Sequence, residues 1–176
     1  ACLGDARNGY YQQRNPLGEA GDFITAPEVS GLFGEMCGLY LAQMFELAGH
    51  PHTAIITELG PGRGTLMQDM LGVWGKLMPA LAKRPIHLIE TSPPLRRAQA
   101  ELLGKDDSGG TTPNIDWHES CDSLPNAPIF GIANEFFDAL AVDQYVWRDS
   151  ACHFGWHHRL VGLQDGKFGF VDGRAL

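Results

Sequence analysis

The chain has 176 residues, a length that suits one domain and is short for two. Hydrophobic residues make up 44% of the chain, so a sizeable core is available, and no apolar run predicts insertion into a membrane. The formal net charge of −8 argues against nucleic acid as a partner and leaves a basic protein substrate open. The histidines have no cysteine or carboxylate at the spacing of a metal site. The cysteines are far apart and form no C-x-x-C pair, so we expect free thiols in a reducing compartment: Cys2, Cys37, Cys121 and Cys152.

Residues 1–50 predict an N-terminal cap and a first helix. The segment before Phe23 is rich in glycine and aromatic residues without a period, which is typical either of a pocket lid or of surface padding. Thr25 fits the N-cap of the helix, Pro27 its first turn and Glu28 the reciprocal capping-box position.

Mostly apolar residues recur at helical spacing behind this cap. The positions are Val29, Leu32, Phe33, Met36, Leu39, Tyr40, Gln43, Met44 and Leu47. We interpret Met36 and Met44 as core fillers. Gly49 and Pro51 end the helix.

A short apolar strand then runs into a loop punctuated by glycines. Residues 54–57 are apolar and β-branched, as in a strand covered on both faces. Gly60, Gly62 and Gly64 alternate in the loop, and glycine lets a backbone turn through positive φ and approach a ligand closely. Thr65 begins a helix whose free N–H groups would point back into the loop. This order predicts a binding crevice at the carboxyl end of a parallel strand.

Two features favour S-adenosyl-L-methionine over a dinucleotide in this crevice. The glycine spacing is G-x-G-x-G, whereas the pyrophosphate fingerprint is G-x-G-x-x-G. Glu58 precedes the first glycine, where a carboxylate repels a pyrophosphate but suits the ammonium of a methionine moiety. Glu90 closes the next predicted strand, residues 86–90, where an acid accepts hydrogen bonds from ribose hydroxyls. The alternative interpretation is an ordinary Gly-Pro-Gly turn and an exposed strand end.

Two further helices follow the glycine loop. Ser92 is the expected cap of the later helix, and Pro93 occupies its first position. The apolar stripe of the earlier helix is Leu66, Met67, Met70, Leu71, Trp74, Leu77 and Met78. The buried stripe of the later helix is predicted to be Leu95, Ala98 and Leu102.

The third and fourth predicted strands end in residues that can reach a ligand. In the third strand, residues 115–118, Trp117 either stacks on the purine of a cofactor or packs in the core, and the sequence favours neither interpretation. The fourth strand, residues 128–133, ends at Asn134, Glu135 and Asp138. One helical turn would place the two carboxylates on one side, where they could hold a guanidinium; the alternative is that they only stabilise a helix N-terminus.

Three antiparallel strands are predicted in the tail, over residues 143–148, 152–163 and 167–171, with a hairpin turn at Asp165–Gly166. The whole order of elements predicts an α/β fold with a doubly wound, mostly parallel sheet. We divide this single domain into a cap and first helix (1–50), a cofactor-binding βαβ core (51–140) and partial C-terminal strands (141–176). We expect the chain to be a fragment of a longer protein.

Several long motifs of this chain resemble the MidA family. They are residues 18–30 (GEAGDFITAPEVS), 33–35 (FGE), 58–65 (ELGPGRGT), 90–93 (ETSP) and 134–140 (NEFFDAL). Residues 155–161 (GWHHRLV) resemble a later segment of the family. The resemblance implies a Rossmann-like class I methyltransferase fold that uses S-adenosyl-L-methionine. It also implies protein arginine methylation, because the mitochondrial members are assembly factors of respiratory complex I that methylate one of its subunits.

The resemblance also implies roles for individual residues. The three loop glycines, Gly60, Gly62 and Gly64, would form the methionine side of the site, with Glu58 beneath them and Glu90 at the ribose. The segment from Gly21 to Pro27, including Thr25, would border the cofactor. Asn134, Glu135 and Asp138 would face the substrate. One departure is Ala141, which stands where the family usually has proline, and another is that the chain is shorter than the family.

The sequence therefore predicts a methyltransferase that modifies arginine on a protein partner, in the cytoplasm of a bacterium or the matrix of a mitochondrion. Two alternatives remain. One is a non-catalytic assembly factor that keeps the cofactor fold, and the other is an NAD-dependent Rossmann oxidoreductase.

Overall fold

The computed structural model describes residues 26–104, 113–150 and 153–176. The chain forms two compact units, an α/β unit that ends at Ala139 and a second unit from Leu140 to Leu176. None of the helices in the described ranges is long and apolar enough to cross a membrane.

Four parallel strands form the sheet of the first unit: β1 (Ile55–Leu59), β2 (Ile86–Ile89), β3 (Ile115–His118) and β4 (Ile129–Ala133). Their order is β3-β2-β1-β4, so the chain moves outward from β1 to β3 and then returns to the other side of β1. This reversal creates a topological switch point between the carboxyl ends of β1 and β4, where open α/β sheets bind ligands. The predicted Rossmann-like α/β class is confirmed.

Helices pack against this sheet through a continuous core. α1 is Ala26–Val29, α2 is Gly31–Leu47, α3 is Thr65–Leu77, α4 is Pro79–Ala82 and α5 is Pro93–Leu103. Core side chains from α2, α3, α4 and α5 meet β1 and β2. Trp74 of α3 is fully buried, and its indole N–H donates to the Gly38 carbonyl of α2 at 2.7 Å. This bond ties α3 to α2.

The single helix predicted from residue 25 is wrong, because the chain forms two helices there. Ser30 lies between them in an extended conformation, and its hydroxyl accepts a hydrogen bond from the Leu32 N–H at 3.2 Å. A serine that caps the second helix in this way ends the first one after a single turn. The proposed capping box depends on Thr25, which lies outside the described residues.

The buried face of α2 also differs from the prediction. The side of α2 that packs on α3 carries Gly34 and Gly38, and a Cβ on Gly34 would lie 2.5 Å from the Cβ of Asp69. The two helices approach so closely that only glycine fits there. Met36, predicted to be a core filler, is 56% exposed, and the core residues of α2 are Leu41, Ala42 and Phe45. The large apolar residues on the exposed face include Leu32, Phe33, Met36, Leu39, Tyr40 and Leu47.

The stripe that α5 buries is shifted by one position in its second and third members. Leu95, Gln99 and Leu103 are buried, whereas Leu95, Ala98 and Leu102 were predicted. The reason is that hydrogen bonds satisfy the Gln99 amide, so this polar side chain can be buried. A search for apolar periodicity cannot detect such a residue.

The second unit is an antiparallel sheet in the order β5 (Gln144–Ser150), β6 (His153–Gln164) and β7 (Lys167–Ala175), which confirms the predicted C-terminal strands. Asp165 and Gly166 both have positive φ, at 51° and 76°, as a two-residue hairpin turn of the primed type requires. Arg148 of β5 and Asp172 of β7 form a bidentate ion pair across the sheet. Nε of Arg148 donates to Oδ2 of Asp172 at 2.7 Å, and Nη2 donates to Oδ1 at 2.8 Å.

Candidate functional site

The glycine loop leaves the carboxyl end of β1 with the backbone geometry that the sequence predicted. Gly60, Gly62 and Gly64 have φ values of 64°, 55° and 91°, all in the left-handed region. The Gly60 N–H donates to the Ile89 carbonyl at 3.0 Å, which holds the loop against the end of β2. Gly64 is the N-cap of α3 and offers no side chain to its first N–H groups, so these groups remain available to a ligand.

Glu58 is a buried acid directly before this loop. Its side chain is 2% exposed, and its Oε2 atom has no hydrogen-bond partner among the described residues. Burial raises the pKa of this carboxyl to about 8. Burial, and then the Glu58 charge, also raises the pKa of the Cys37 thiol on α2. An uncompensated buried carboxyl of this kind is stabilised by a cation that enters the loop or by a proton.

Glu90 directly follows β2, whereas Glu58 is the fourth residue of β1 and pairs with Leu88. Its Oε1 atom accepts the Ser92 N–H at 2.8 Å, and its Oε2 atom faces the Gln99 amide at 3.4 Å. Burial raises the pKa of Glu90, although these hydrogen bonds and the charge of Arg96 oppose the effect. Because Gly60 bonds to the residue before Glu90, the second acid adjoins the glycine loop. The two acids thus lie near the carboxyl ends of the neighbouring strands β1 and β2, next to the loop.

Gln99 joins these parts, and sequence reasoning missed it. Its Nε2 group donates to the Gly62 carbonyl at 2.7 Å, and its Oε1 atom accepts the Trp117 indole N–H at 2.8 Å. Trp117 itself is partly buried against the core. Its N–H edge is therefore engaged by protein, while its contact with a purine stays a prediction. The sequence did contain a signal for Gln99: it is four residues from both Leu95 and Leu103, so the three side chains share one helix face, which is the buried face.

The turn after β4 approaches the same loop. A Cβ on Gly60 would lie 2.5 Å from Cδ2 of Phe136, so the phenyl ring rests against the loop backbone. Asn134 and Glu135 directly follow β4, and Asp138 lies in a 3-10 turn at Phe137–Ala139. Glu135 precedes that turn with a φ of 49°, a conformation uncommon outside glycine. The expected single helical turn from Glu135 to Asp138 is therefore wrong, although all three predicted residues stay at the end of β4.

Three predicted cofactor-binding residues remain, and the structure describes only Pro27. Gly21 and Thr25 lie outside the described residues. Pro27 is buried in α1, which packs on α3. His118 has both ring nitrogens engaged, since Nε2 meets Nδ1 of His87 at 2.8 Å and Nδ1 meets Oγ of Ser123 at 2.8 Å. In the described parts of the chain, no three His, Cys, Asp or Glu residues are grouped so that they could hold a metal ion.

A family model described as "Putative S-adenosyl-L-methionine-dependent methyltransferase" matches residues 36–176 of this chain. The match includes the glycine loop, both acids and the turn after β4. Among solved structures, the chain is similar to a Burkholderia thailandensis protein bound to S-adenosyl-homocysteine. The TM-score is 0.70 at 29% sequence identity, and the similarity covers 96% of this chain and 42% of the other.

Curated relatives carry a more specific name. The chain is 36% identical over 182 residues to "Protein arginine methyltransferase NDUFAF7, mitochondrial" of Danio rerio, covering 93% of this chain and 42% of that protein. It is 37% identical over 160 residues to the Homo sapiens protein of the same name, covering 81% of this chain and 36% of that protein. The chain therefore spans about two-fifths of the length of these relatives, which are named mitochondrial.

Proposed function

This chain belongs to the family of S-adenosyl-L-methionine-dependent methyltransferases, and we propose that it binds S-adenosyl-L-methionine at the switch point between β1 and β4 and methylates arginine on a protein. The observation that carries the proposal is the pair of buried acids, Glu58 and Glu90, near the ends of adjacent strands and next to a loop with three left-handed glycines.

Each part of the crevice suits one part of the methyl donor. The backbone of Gly60, Gly62 and Gly64 allows close approach, because no Cβ stands between the loop and a ligand. Glu58 compensates the positive charge of the methionine moiety, which supplies the partner that its buried oxygen lacks. Glu90 accepts hydrogen bonds from the ribose hydroxyls with acceptor positions that its own hydrogen bonds leave free.

Bound S-adenosyl-L-methionine supplies an electrophilic methyl group for an in-line displacement, so the residues of the chain mainly position the reactants. Asn134, Glu135 and Asp138 follow the strand whose end faces the loop, and Glu135 and Asp138 are exposed to solvent. Exposed carboxylates there can hold a guanidinium by charge-assisted hydrogen bonds and orient one nitrogen toward the methyl carbon. The names of the curated relatives support arginine as the acceptor. From the MidA resemblance we propose a respiratory complex I subunit as the partner, in the mitochondrial matrix if the source is eukaryotic and in the cytoplasm if it is bacterial.

Calorimetric titration with S-adenosyl-L-methionine, S-adenosyl-homocysteine and NAD tests the cofactor. We expect both sulfur compounds to bind and NAD not to bind. Binding of NAD alone would overturn the proposal in favour of an oxidoreductase. Glu90→Ala should weaken binding of both sulfur compounds, whereas Glu101→Ala, on the exposed side of α5, should not.

Mass spectrometry of methylated arginine in a candidate subunit tests the reaction. We expect the methyl groups to be lost with Glu135→Gln and with Asp138→Asn while cofactor affinity is kept. If the cofactor binds and no subunit is methylated, the protein is a non-catalytic assembly factor instead.

A further inference from the structure

Gln99 is the only buried polar residue of α5, with 0% of its surface exposed. A buried amide without partners is costly, so such a residue persists in a core only where its hydrogen bonds are satisfied. Here they reach three elements that are distant in sequence: the glycine loop, the end of β2 and β3.

The orientation of the Gln99 amide follows from its partners. The Trp117 indole can only donate, so the atom facing it must be the amide oxygen. The amide nitrogen then faces the Gly62 carbonyl at 2.7 Å and Oε2 of Glu90 at 3.4 Å, and both of these atoms are acceptors. Each N–H of the amide thus has one acceptor, and reversing the amide would break all three contacts.

The stem of Gln99 also supports the loop. A Cβ on Gly64 would lie 3.4 Å from Cγ of Gln99, which is ordinary van der Waals contact. One side chain therefore holds the loop at Gly62 by a hydrogen bond and lies beside Gly64, while it contacts Glu90. In this way Gln99 sets the separation between the loop and the acid.

We propose that Gln99 is a positioning residue that fixes the glycine loop relative to Glu90. It thereby sets the distance between the loop, which binds the methionine end of the cofactor, and the acid, which binds the ribose. The inference rests on the proposed cofactor function. Gln99 acts through Gly62 and Glu90 and need not touch the cofactor. Its hydrogen bonds bear on affinity for the donor, whereas the methyl transfer itself depends on residues at the end of β4.

The test compares cofactor binding by the intact chain and by two variants of position 99. Gln99→Leu keeps the bulk and removes every hydrogen bond, and we expect a loss of affinity of about 10- to 100-fold for S-adenosyl-L-methionine and S-adenosyl-homocysteine. Gln99→Glu places a second carboxyl beside Glu90. When ionised, that carboxyl cannot donate to the Gly62 carbonyl. We therefore expect the affinity of the Gln99→Glu variant for the two sulfur compounds, relative to that of the unmodified chain, to fall as pH rises from 5 to 8. A purely structural role would not produce this difference between pH profiles.

Trp117→Phe and Gln68→Leu complete the experiment. Trp117→Phe removes the donor to the Gln99 oxygen and part of the ring volume but keeps an aromatic face for the predicted purine contact. We expect a smaller loss in the same direction, and this variant replaces Gln99→Leu if that one does not fold. Gln68→Leu, on the exposed side of α3, should bind normally. If the unmodified chain binds neither sulfur compound, the proposed function fails. If it binds and the folded variants match it in affinity and pH profile, only the role of Gln99 is overturned.

Discussion

The phenyl ring of Phe136 lies directly against the backbone of Gly60, where an added Cβ would come within 2.5 Å of Cδ2. This contact joins the first glycine of the loop to the turn that carries Asn134, Glu135 and Asp138. The proposed cofactor side and the proposed substrate side of the site therefore share a packing contact. A change at Gly60 should be felt on both sides.

Gly60→Ala should destabilise the fold and abolish cofactor binding. Position 60 has a φ of 64°, so alanine is strained there, and its methyl group overlaps the Phe136 ring. Together these effects should cost about 2–4 kcal/mol of the free energy of unfolding. Urea denaturation measures the loss. Gly72→Ala, where a Cβ would meet nothing within 4 Å, is the control and should be neutral or stabilising. Equal stability of the two variants would contradict the contact.

Glu58→Gln should weaken cofactor binding and make the free protein more stable at pH 8. Burial raises the pKa of Glu58 from 4.5 to about 8, so between these values the unfolded chain releases a proton that the folded chain retains. The stability of the free protein should therefore fall as pH rises from about 4.5 to about 8. The amide cannot ionise, so the variant should lack this decline and exceed the unmodified chain at pH 8 by about 2–4 kcal/mol.

Urea denaturation at several pH values measures this difference, and Glu101→Gln is the exposed control. Calorimetry should show weaker binding of S-adenosyl-L-methionine by Glu58→Gln. An unchanged affinity in the folded variant would rule out the role of Glu58 at the methionine moiety. It would leave Glu90 and the glycine loop as the remaining support for the site.

His87 should make the first unit sensitive to mild acid. Burial, followed by the nearby His118, lowers the pKa of His87 below its usual 6.5, and Asp116 opposes the effect. Between the lowered value and 6.5 the unfolded chain binds a proton that the folded chain does not, so this contribution to stability is lost as pH falls below about 6.5. The stability difference between the unmodified chain and His87→Gln should narrow from pH 7.5 to pH 5. His52→Gln, at an exposed position, is the matched control.

Gly34→Ala should weaken the packing of α2 on α3. Alanine normally favours a helix over glycine by about 1 kcal/mol, but a methyl group at position 34 would lie 2.5 Å from the Cβ of Asp69. The steric term should prevail, with a net destabilisation of about 1–3 kcal/mol. At Gly31 the nearest atom, Oδ1 of Asp69, is 3.5 Å away, so Gly31→Ala is the matched control. Thermal melting of both variants measures the effect, and similar melting temperatures would argue against the close approach.

Local sequence patterns were sufficient for much of this fold. The four parallel strands, the glycine loop, the helix starting at Pro93 and the Asp165–Gly166 turn all depend on residues that are close in sequence. Each signal is a property of neighbouring residues: a β-branched run, a residue that tolerates positive φ, or a proline in a first helical turn. Glu58 and Glu90 were identified on the same basis, because an acid at the end of a strand is visible in one short segment.

Contacts between distant segments decided the rest. Apolar periodicity pointed to the Met36 side of α2, yet the helix packs on α3 through Gly34 and Gly38, because the two backbones approach so closely that a Cβ at these positions would meet α3. Gln99 enters the core because Gly62, Glu90 and Trp117 meet it there, from segments up to 37 residues away.

The sequence alone therefore determined which elements form and where the acids and glycines lie along the chain, since these follow from local conformational preference. Only the tertiary structure decided which helix face is buried, which amide links the loop to Glu90, and which ring covers Gly60. Those outcomes depend on steric fit and on hydrogen-bond partners that become neighbours only when the chain has folded.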